Sequence, residues 1–380
     1  MTSLALRSRS ISPKTSTDPI AHRPLKTSCR LSDAATNLGL RGRTRYRQDM
    51  ETPTGHTGHT GQNVLPPAAW TKAQPGINNG LPQAVAHRGY KANFPENTMG
   101  AFRGAVEVGA HAIETDVHLS KDGVVVIAHD KDLKRCYGVE GLVRDCDWDY
   151  LSTLKTLREP SQPMPKLLDV LEYLAEPGKE SVWVFLDIKI DDAPEDMIPK
   201  IAETFAAVPN GQWKQRIVLG CWTAKHLRLC HEVLPEFAIA NIGFAGPRAW
   251  EYVGVPNVAM NMRQETLFGF GGPRFVKHCQ DEGRPLYAWT VNQQSWMEWC
   301  IETKIDCVVT DDPKRYLEVC VGHQKKQVAP KNKIQAGLEK LRDLVLCVLY
   351  LLAQKILSRA MRETQRLGHP SEVREELRKT

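Results

Sequence analysis

Nine short β-rich runs, spread through the middle of the chain, constrain its fold more than any other feature. They read "AVAHRG" (84–89), "AIETDVHL" (112–119), "VVVIAHD" (124–130), "VWVFLDIK" (182–189), "RIVLGCW" (216–222), "FAIANIGF" (237–244), "NVAMNM" (257–262), "PLYAWTV" (285–291) and "DCVVTDDP" (306–313). Most neighbours are separated by enough helix-patterned sequence for a crossover connection, so the strands they predict run parallel. One gap is too short. Only "KDG" parts "AIETDVHLS" from "VVVIAHD", which fits a tight hairpin and no crossover. Taking that pair as one strand with a hairpin partner leaves eight βα-type units in about 240 residues, the number and length of an α/β TIM (β/α)8 barrel. A doubly wound open sheet is the alternative, without a GxGxxG or GxxxxGK loop to favour it.

Three segments follow from this texture. Residues 1–80 lack apolar periodicity and are rich in Ser, Thr, Gly and Pro ("RSRSISPKTSTDP", "GHTGHTGQ"), so they are expected to be a disordered extension. The Arg- and Ser-containing, acid-free opening "MTSLALRSRSIS" makes a mitochondrial targeting segment one reading of it. Met50 is an alternative start. Residues 81–320 are the barrel. Residues 321–380 form a basic tail whose apolar stretch, Leu344–Ala353, has Lys and Arg on both sides. Extended to Leu357, that helix is roughly 21 Å long against a ~30 Å hydrocarbon core, too short to span but suited to lying in the interface as a monotopic anchor. The alternative is a helix packed on the barrel or on a partner.

Charge supports this division. Residues 1–80 carry 11 Lys and Arg against 4 Asp and Glu, and residues 321–380 carry 13 against 6, leaving 26 against 34 between them. An acidic body with basic ends argues against a nucleic-acid partner and suits flanks drawn to an anionic membrane surface. Ten cysteines, none in a CxxC pair, read as reduced thiols of an intracellular protein and not as a zinc site.

Alternation assembles a site from scattered residues. Glu114 and Asp116 leave one face of their strand, and Asp187 and Lys189 share a face of "LDIK". Folding back across Asp122–Gly123 brings His129 opposite 114 to 116, while "HRG" supplies His87 and Arg88 at the first strand's end. In a barrel such strand ends converge on one rim. Three carboxylates without a thiolate suit a hard divalent cation, Mg²⁺ or Ca²⁺. Two imidazoles can divide proton acceptance and donation, while Arg and Lys stabilise charge on phosphoryl oxygens. That set of groups describes phosphodiester cleavage. Singly, each has a plainer reading. Asn97 or Thr98 of "PENT" and Asn292 of "WTVN" suit helix caps, and Trp289 suits packing.

The order "HRG…PENT…ETD…AHD…LDIK…WTVN…TDDP", over about residues 84–313, resembles the glycerophosphodiester phosphodiesterase family. The resemblance implies a TIM barrel in which His87 and His129 act as acid and base, and Glu114, Asp116 and Asp187 bind a divalent metal. It further implies that Arg88 and Lys189 contact phosphate and that Trp289 contacts substrate. In the family a substrate glycerol hydroxyl is thought to attack phosphorus, giving a cyclic phosphate that water opens. Asp187 departs from the pattern, since many members carry Glu there; related sphingomyelinase D barrels also use Asp-x-Lys. "LDIK", "WTVN", "TDDP" and the apolar tail look most like a fungal branch that cleaves phosphatidylglycerol to diacylglycerol and glycerol phosphate. The expectation is therefore a membrane-associated intracellular phospholipase, with mitochondrion, endoplasmic reticulum and lipid droplet as candidate locations. The alternatives are a hydrolase of soluble glycerophosphodiesters such as glycerophosphocholine, phospholipase D-type cleavage, or a catalytically silent barrel recruited to membranes.

Overall fold

The computed structural model describes residues 64–269 and 271–326, together with Val345. Eight parallel strands close on themselves: β1 (Gln83–His87), β2 (Ala112–Leu119), β4 (Trp183–Ile188), β5 (Ile217–Cys221), β6 (Ala238–Gly243), β7 (Ala259–Arg263), β8 (Leu286–Trp289) and β9 (Cys307–Thr310). Closure is explicit, because β1 pairs in parallel with both β9 and β2. An open doubly wound sheet would leave β1 or β9 with a free edge. The expected hairpin is present as β3 (Val125–Ile127), antiparallel to the outer end of β2 with Val117 opposite Ile127.

Strands covered on both faces read as apolar runs, and here the two parities separate cleanly. Ala112, Val218, Ala259 and Val309 point inward, into a small cluster inside the barrel. Their neighbours Ile113, Leu219, Met260 and Val308 point outward, into the larger core beneath the helices. Between β3 and the helix Leu167–Ala175, a third cluster built on Leu133, Tyr137, Val143, Leu151 and Met164 gives the connecting segment its own small core.

Two segment boundaries move. Residues 64–80 are not a disordered extension. Leu65, Ala68 and Thr71 are buried, and this segment closes the end of the barrel from which the strands start. Ala68 packs among the inward side chains, the Thr71 hydroxyl lies 2.6 Å from the Tyr287 hydroxyl, and Gln83 donates to the carbonyls of Trp70 and Lys72. The polar composition that suggested disorder conceals a handful of anchoring side chains. At the other end, the helix Pro313–Lys326 carries the barrel past residue 320. The rest of the extension and, apart from Val345, the anchor-helix stretch of the tail lie outside the described residues. Among the described residues no helix is long and apolar enough to cross a membrane.

Candidate active site

Inward side chains of an eight-stranded barrel stack in layers of four drawn from alternate strands. The strand pairings give those layers here. Following them from β1 through β9 and back to β1 returns eight residues below the start, so residues at one height advance by one position per strand relative to their paired partners. The lower layers hold residues such as Val85, Phe185, Ala240 and Tyr287 and are largely apolar. Toward the strands' carboxyl ends the chemistry changes. One layer is Glu114, Gly220, Asn261 and Val309; above it lie His87, Asp187, Ile242 and Trp289; above those, Asp116, Trp222, Arg263 and Asp311. Apart from Arg263 of β7, which pairs with Glu265, charge therefore gathers on the β9–β1–β2–β4 side of the mouth and large rings on the β5–β8 side.

The carboxylates meet. Glu114, Asp116 and Asp187 are all buried, and one oxygen from each lies within 4.8 Å of the others. Asp116 and Asp187 are directly paired neighbours on β2 and β4. The Lys189 ammonium spans them, 2.6 Å from Asp116 Oδ1 and 2.7 Å from Asp187 Oδ2. Burial resists the ionisation of Asp116, but Lys189 and Arg88 overcome it and hold this carboxyl below its ordinary range. Burial likewise disfavours the Lys189 charge, and the same two carboxylates reverse that, raising it. Glu114 has less help. Burial and then the negative charges of Asp116 and Asp187 push its carboxyl well above the usual value. An excess of buried negative charge carried by hard oxygen donors fits a divalent cation, which would relieve that repulsion. These three residues could hold one.

The supports of the triad were largely missed by sequence reasoning. The Trp222 indole N–H donates to Asp187 Oδ1 at 2.7 Å, and the Asn97 amide donates to Asp116 Oδ2 at 2.7 Å. The backbone N–H of Arg88 donates to Glu114 Oε2 at 2.8 Å. Arg88 itself sits at φ 55° and Asn97 at φ 56°, left-handed conformations that a non-glycine residue adopts at a cost of about 1–3 kcal/mol. Asn97 is thus not the helix cap; Thr98 fills that role, accepting from the Ala101 N–H. Asn292 is not a cap either. It donates to Asp311 Oδ2 and accepts from the Asp311 N–H.

Each histidine is held by its Nδ1. The His87 ring lies 2.6 Å from Asp311 Oδ1, and the His129 ring 2.7 Å from Asp130 Oδ1. A carboxylate at Nδ1 requires a proton there, which leaves Nε2 as the exchanging nitrogen of each ring. Burial is the largest influence on both imidazoles and lowers their pKa, more than the carboxylates raise it. Burial also works against Asp311, yet its hydrogen bond with His87 helps hold it down at about 2. Behind His129 the charges alternate in a chain: Asp130 pairs with Arg135, Arg135 with Glu96 at 2.7 and 3.0 Å, and Glu96 with Arg88 at 2.8 Å. Burial disfavours the Glu96 carboxylate, but the two arginines hold it at about 2.

Eight residues singled out from sequence therefore gather at one mouth: His87, Arg88, Glu114, Asp116, His129, Asp187, Lys189 and Trp289. Arg88 and Lys189 are engaged with carboxylates. Trp289 donates its indole N–H to the Asn261 carbonyl at 3.0 Å and packs with Trp222 and Phe244 at ring-centroid distances of 5.8 and 6.2 Å. Among the missed residues, Asp130 and Asp311 stand inside "AHD" and "TDDP", and Trp222 continues the inward parity of Val218 and Gly220. Glu96 likewise stands inside "PENT"; Arg135 left no such signal, since its pairing depends on the segment after β3 folding back over the mouth.

Residues 87–315 match the glycerophosphoryl diester phosphodiesterase family. Among curated proteins, the chain is 45% identical over 276 residues to the lysophospholipase D GDPD1 of Rattus norvegicus, covering 63% of this chain and 86% of that protein. It is 29% identical over 245 residues to a glycerophosphodiester phosphodiesterase of Caldanaerobacter subterraneus subsp. tengcongensis, covering 62% of this chain and 96% of the relative. Solved structures share the fold. A putative glycerophosphoryl diester phosphodiesterase from Silicibacter pomeroyi superposes with a TM-score of 0.59 at 18% identity, over 67% of this chain and 97% of its own. An Oleispira antarctica phosphodiesterase, solved with its product sn-glycerol-3-phosphate, gives 0.56 at 23% identity, over 63% and 96%.

Proposed function

This chain belongs to the glycerophosphoryl diester phosphodiesterase family, and from that premise we propose that it hydrolyses glycerophosphodiesters or lysophospholipids at the bond between phosphorus and the headgroup alcohol. The products are then glycerol phosphate, or its acylated form, and a free alcohol such as choline. One observation carries the reading: a buried carboxylate triad and two carboxylate-held imidazoles share one barrel mouth. The named relatives include a glycerophosphodiester phosphodiesterase and a lysophospholipase D, which favours this substrate class over phosphatidylglycerol. The phosphatidylglycerol reading leaned on the apolar tail together with "LDIK", "WTVN" and "TDDP", and that tail stretch, Val345 apart, lies outside the described residues.

The geometry supports the following division of roles. Glu114, Asp116 and Asp187 would hold Mg²⁺ or Ca²⁺, which supplies positive charge to polarise phosphoryl oxygens. Arg88 and Lys189 add fixed positive charge on either side of Asp116, oriented before substrate arrives. His87 and His129 move protons through Nε2, one accepting from the attacking oxygen, of water or of a substrate hydroxyl, and the other delivering to the departing alkoxide; a cyclic phosphate formed by a substrate hydroxyl is then opened by water to the monoester. The Trp222–Phe244–Trp289 wall offers an apolar face to whatever lies beyond the phosphate.

The test is product identification. Purified protein is offered glycerophosphocholine, lysophosphatidylcholine and phosphatidylglycerol, with Mg²⁺, with Ca²⁺ and with chelator, and products are resolved by mass spectrometry. Choline with glycerol phosphate or lysophosphatidate, lost in chelator, is the expected outcome. Diacylglycerol from phosphatidylglycerol alone would reverse the preference, and no turnover of any diester would refute the reading.

A further inference from the structure

The layer that holds Glu114 contains one other polar side chain. Following the pairings, Glu114 aligns with Phe185, Val218, Ala238 and residue 257, and one position of advance per strand brings the same height in β7 to Asn261. Four strands apart in a ring of eight, Glu114 and Asn261 face each other across the barrel. The other two members of the layer are Gly220 and Val309. A Cβ on Gly220 would lie 2.7 Å from the Phe185 ring and 2.8 Å from Ile242, so apolar side chains already fill that quarter.

Asn261 points inward. Ala259, on its own side of the strand, packs in the inner cluster, whereas Met260 and Met262 pack outside. Its residue is 3% exposed, and its Oδ1 has no hydrogen-bond partner. Turning the amide over exchanges oxygen for nitrogen and leaves a polar atom at that spot all the same. An unpaired buried amide atom costs about 1–3 kcal/mol, and in a barrel floor an apolar residue of similar size would avoid that cost. Trp289, whose indole N–H is fixed to the Asn261 carbonyl, lies in the layer directly above. The unpaired atom thus sits below the aromatic side of the mouth and across from the carboxylates.

We propose that Asn261 is a specificity-determining residue whose amide binds a hydroxyl of the substrate's glycerol unit at the floor of the site. An amide both donates and accepts, matching a hydroxyl, which does the same. The glycerol unit rests on the function proposed above; the polar contact does not require turnover.

Binding can separate the two. In saturating Mg²⁺, calorimetric affinities of glycerol 3-phosphate and ethyl phosphate are compared in the wild-type chain and in Asn261→Leu. The two ligands share a phosphate, but only the first bears hydroxyls. The wild type should prefer glycerol 3-phosphate by about tenfold or more, the effect of one satisfied buried hydrogen bond. Asn261→Leu should erase that preference while ethyl phosphate binds as before, which also shows the variant is folded. If Asn261→Leu misfolds, Asn261→Ser, with a shorter polar arm, should shrink the preference. A preference that survives substitution overturns the assignment, as does a wild type that never shows one. Hydrolysis of glycerophosphocholine without the preference would sink Asn261 and spare the proposed function. The preference without hydrolysis would do the reverse.

Discussion

Replacing Glu114 with Gln should make the metal-free protein more stable and the metal-bound protein less so. The reasoning starts from the buried carboxyl, raised well above its ordinary value by burial and by Asp116 and Asp187. An acid whose pKa is higher folded than unfolded holds its proton more tightly in the folded state. Its ionisation therefore opposes folding as pH climbs above the unfolded value near 4.5. Each pH unit of elevation corresponds to about 1.4 kcal/mol. Glutamine keeps the shape, and its carbonyl oxygen can still accept from the Arg88 N–H, but it carries no charge. At pH 7.5 in chelator, Glu114→Gln should then unfold at a higher temperature than the wild type, each kcal/mol gained raising Tm by about 2–4 °C in a domain of this size. Near pH 4 the gain should vanish, because both states of the wild type are protonated there. A divalent cation should invert the order. A cation at a hundred times its Kd adds about 2.7 kcal/mol to the wild type, while the variant has lost one of its three carboxylates. Differential scanning fluorimetry across pH 4–8, with chelator and with Mg²⁺ or Ca²⁺, reads all of this. A variant less stable than wild type in chelator at pH 7.5 would show that the triad is not electrostatically crowded. An equal metal-induced rise in both proteins would remove Glu114 from the ligand set.

Four further outcomes follow from the same geometry. Trp222→Phe removes the N–H that fixes Asp187 Oδ1 and should weaken Mg²⁺ binding about 10–100-fold by calorimetry, with little change in fold. Asp311→Asn removes a hydrogen bond that raises the His87 pKa, so any limb of the kcat/KM–pH profile that His87 controls should move to lower pH. Because burial lowers both His87 and His129 below 6.5, the free enzyme's kcat/KM should peak on the acid side of that value; a peak above pH 8 would contradict proton transfer by these imidazoles. Glu96→Gln breaks the charge chain between Arg88 and Arg135 and should lower kcat by about tenfold or more, without abolishing metal binding.

How much of this was legible beforehand depended on the range of the interactions involved. Strand period and connection length are local, so all nine strands, the one hairpin and the closed barrel could be read from the chain. The alignment of Glu114 with Asp116, and of Asp187 with Lys189, needed nothing beyond alternation. What alternation cannot supply is the stagger between strands. That stagger puts Asp116 beside Asp187 and sets Asn261 level with Glu114, although the two are far apart in sequence. It is a global property of closure, fixed only when β1 meets β9. Of the two caps that "PENT" offered, Thr98 is the one used; Asn97, and Asn292 of "WTVN", are not, for a related reason. Asn97 and Asn292 have the side chain a helix start favours, but each found a carboxylate, the buried Asp116 and the half-buried Asp311, offering a charge-assisted bond stronger than a cap. Residues 64–80 misled in the opposite sense. Disorder is inferred from average composition, whereas closing a barrel end takes only a few side chains, here Leu65, Ala68 and Thr71, placed against strands that already exist. Composition governs whether a segment can fold by itself; it is a poor guide to whether a finished fold will hold it.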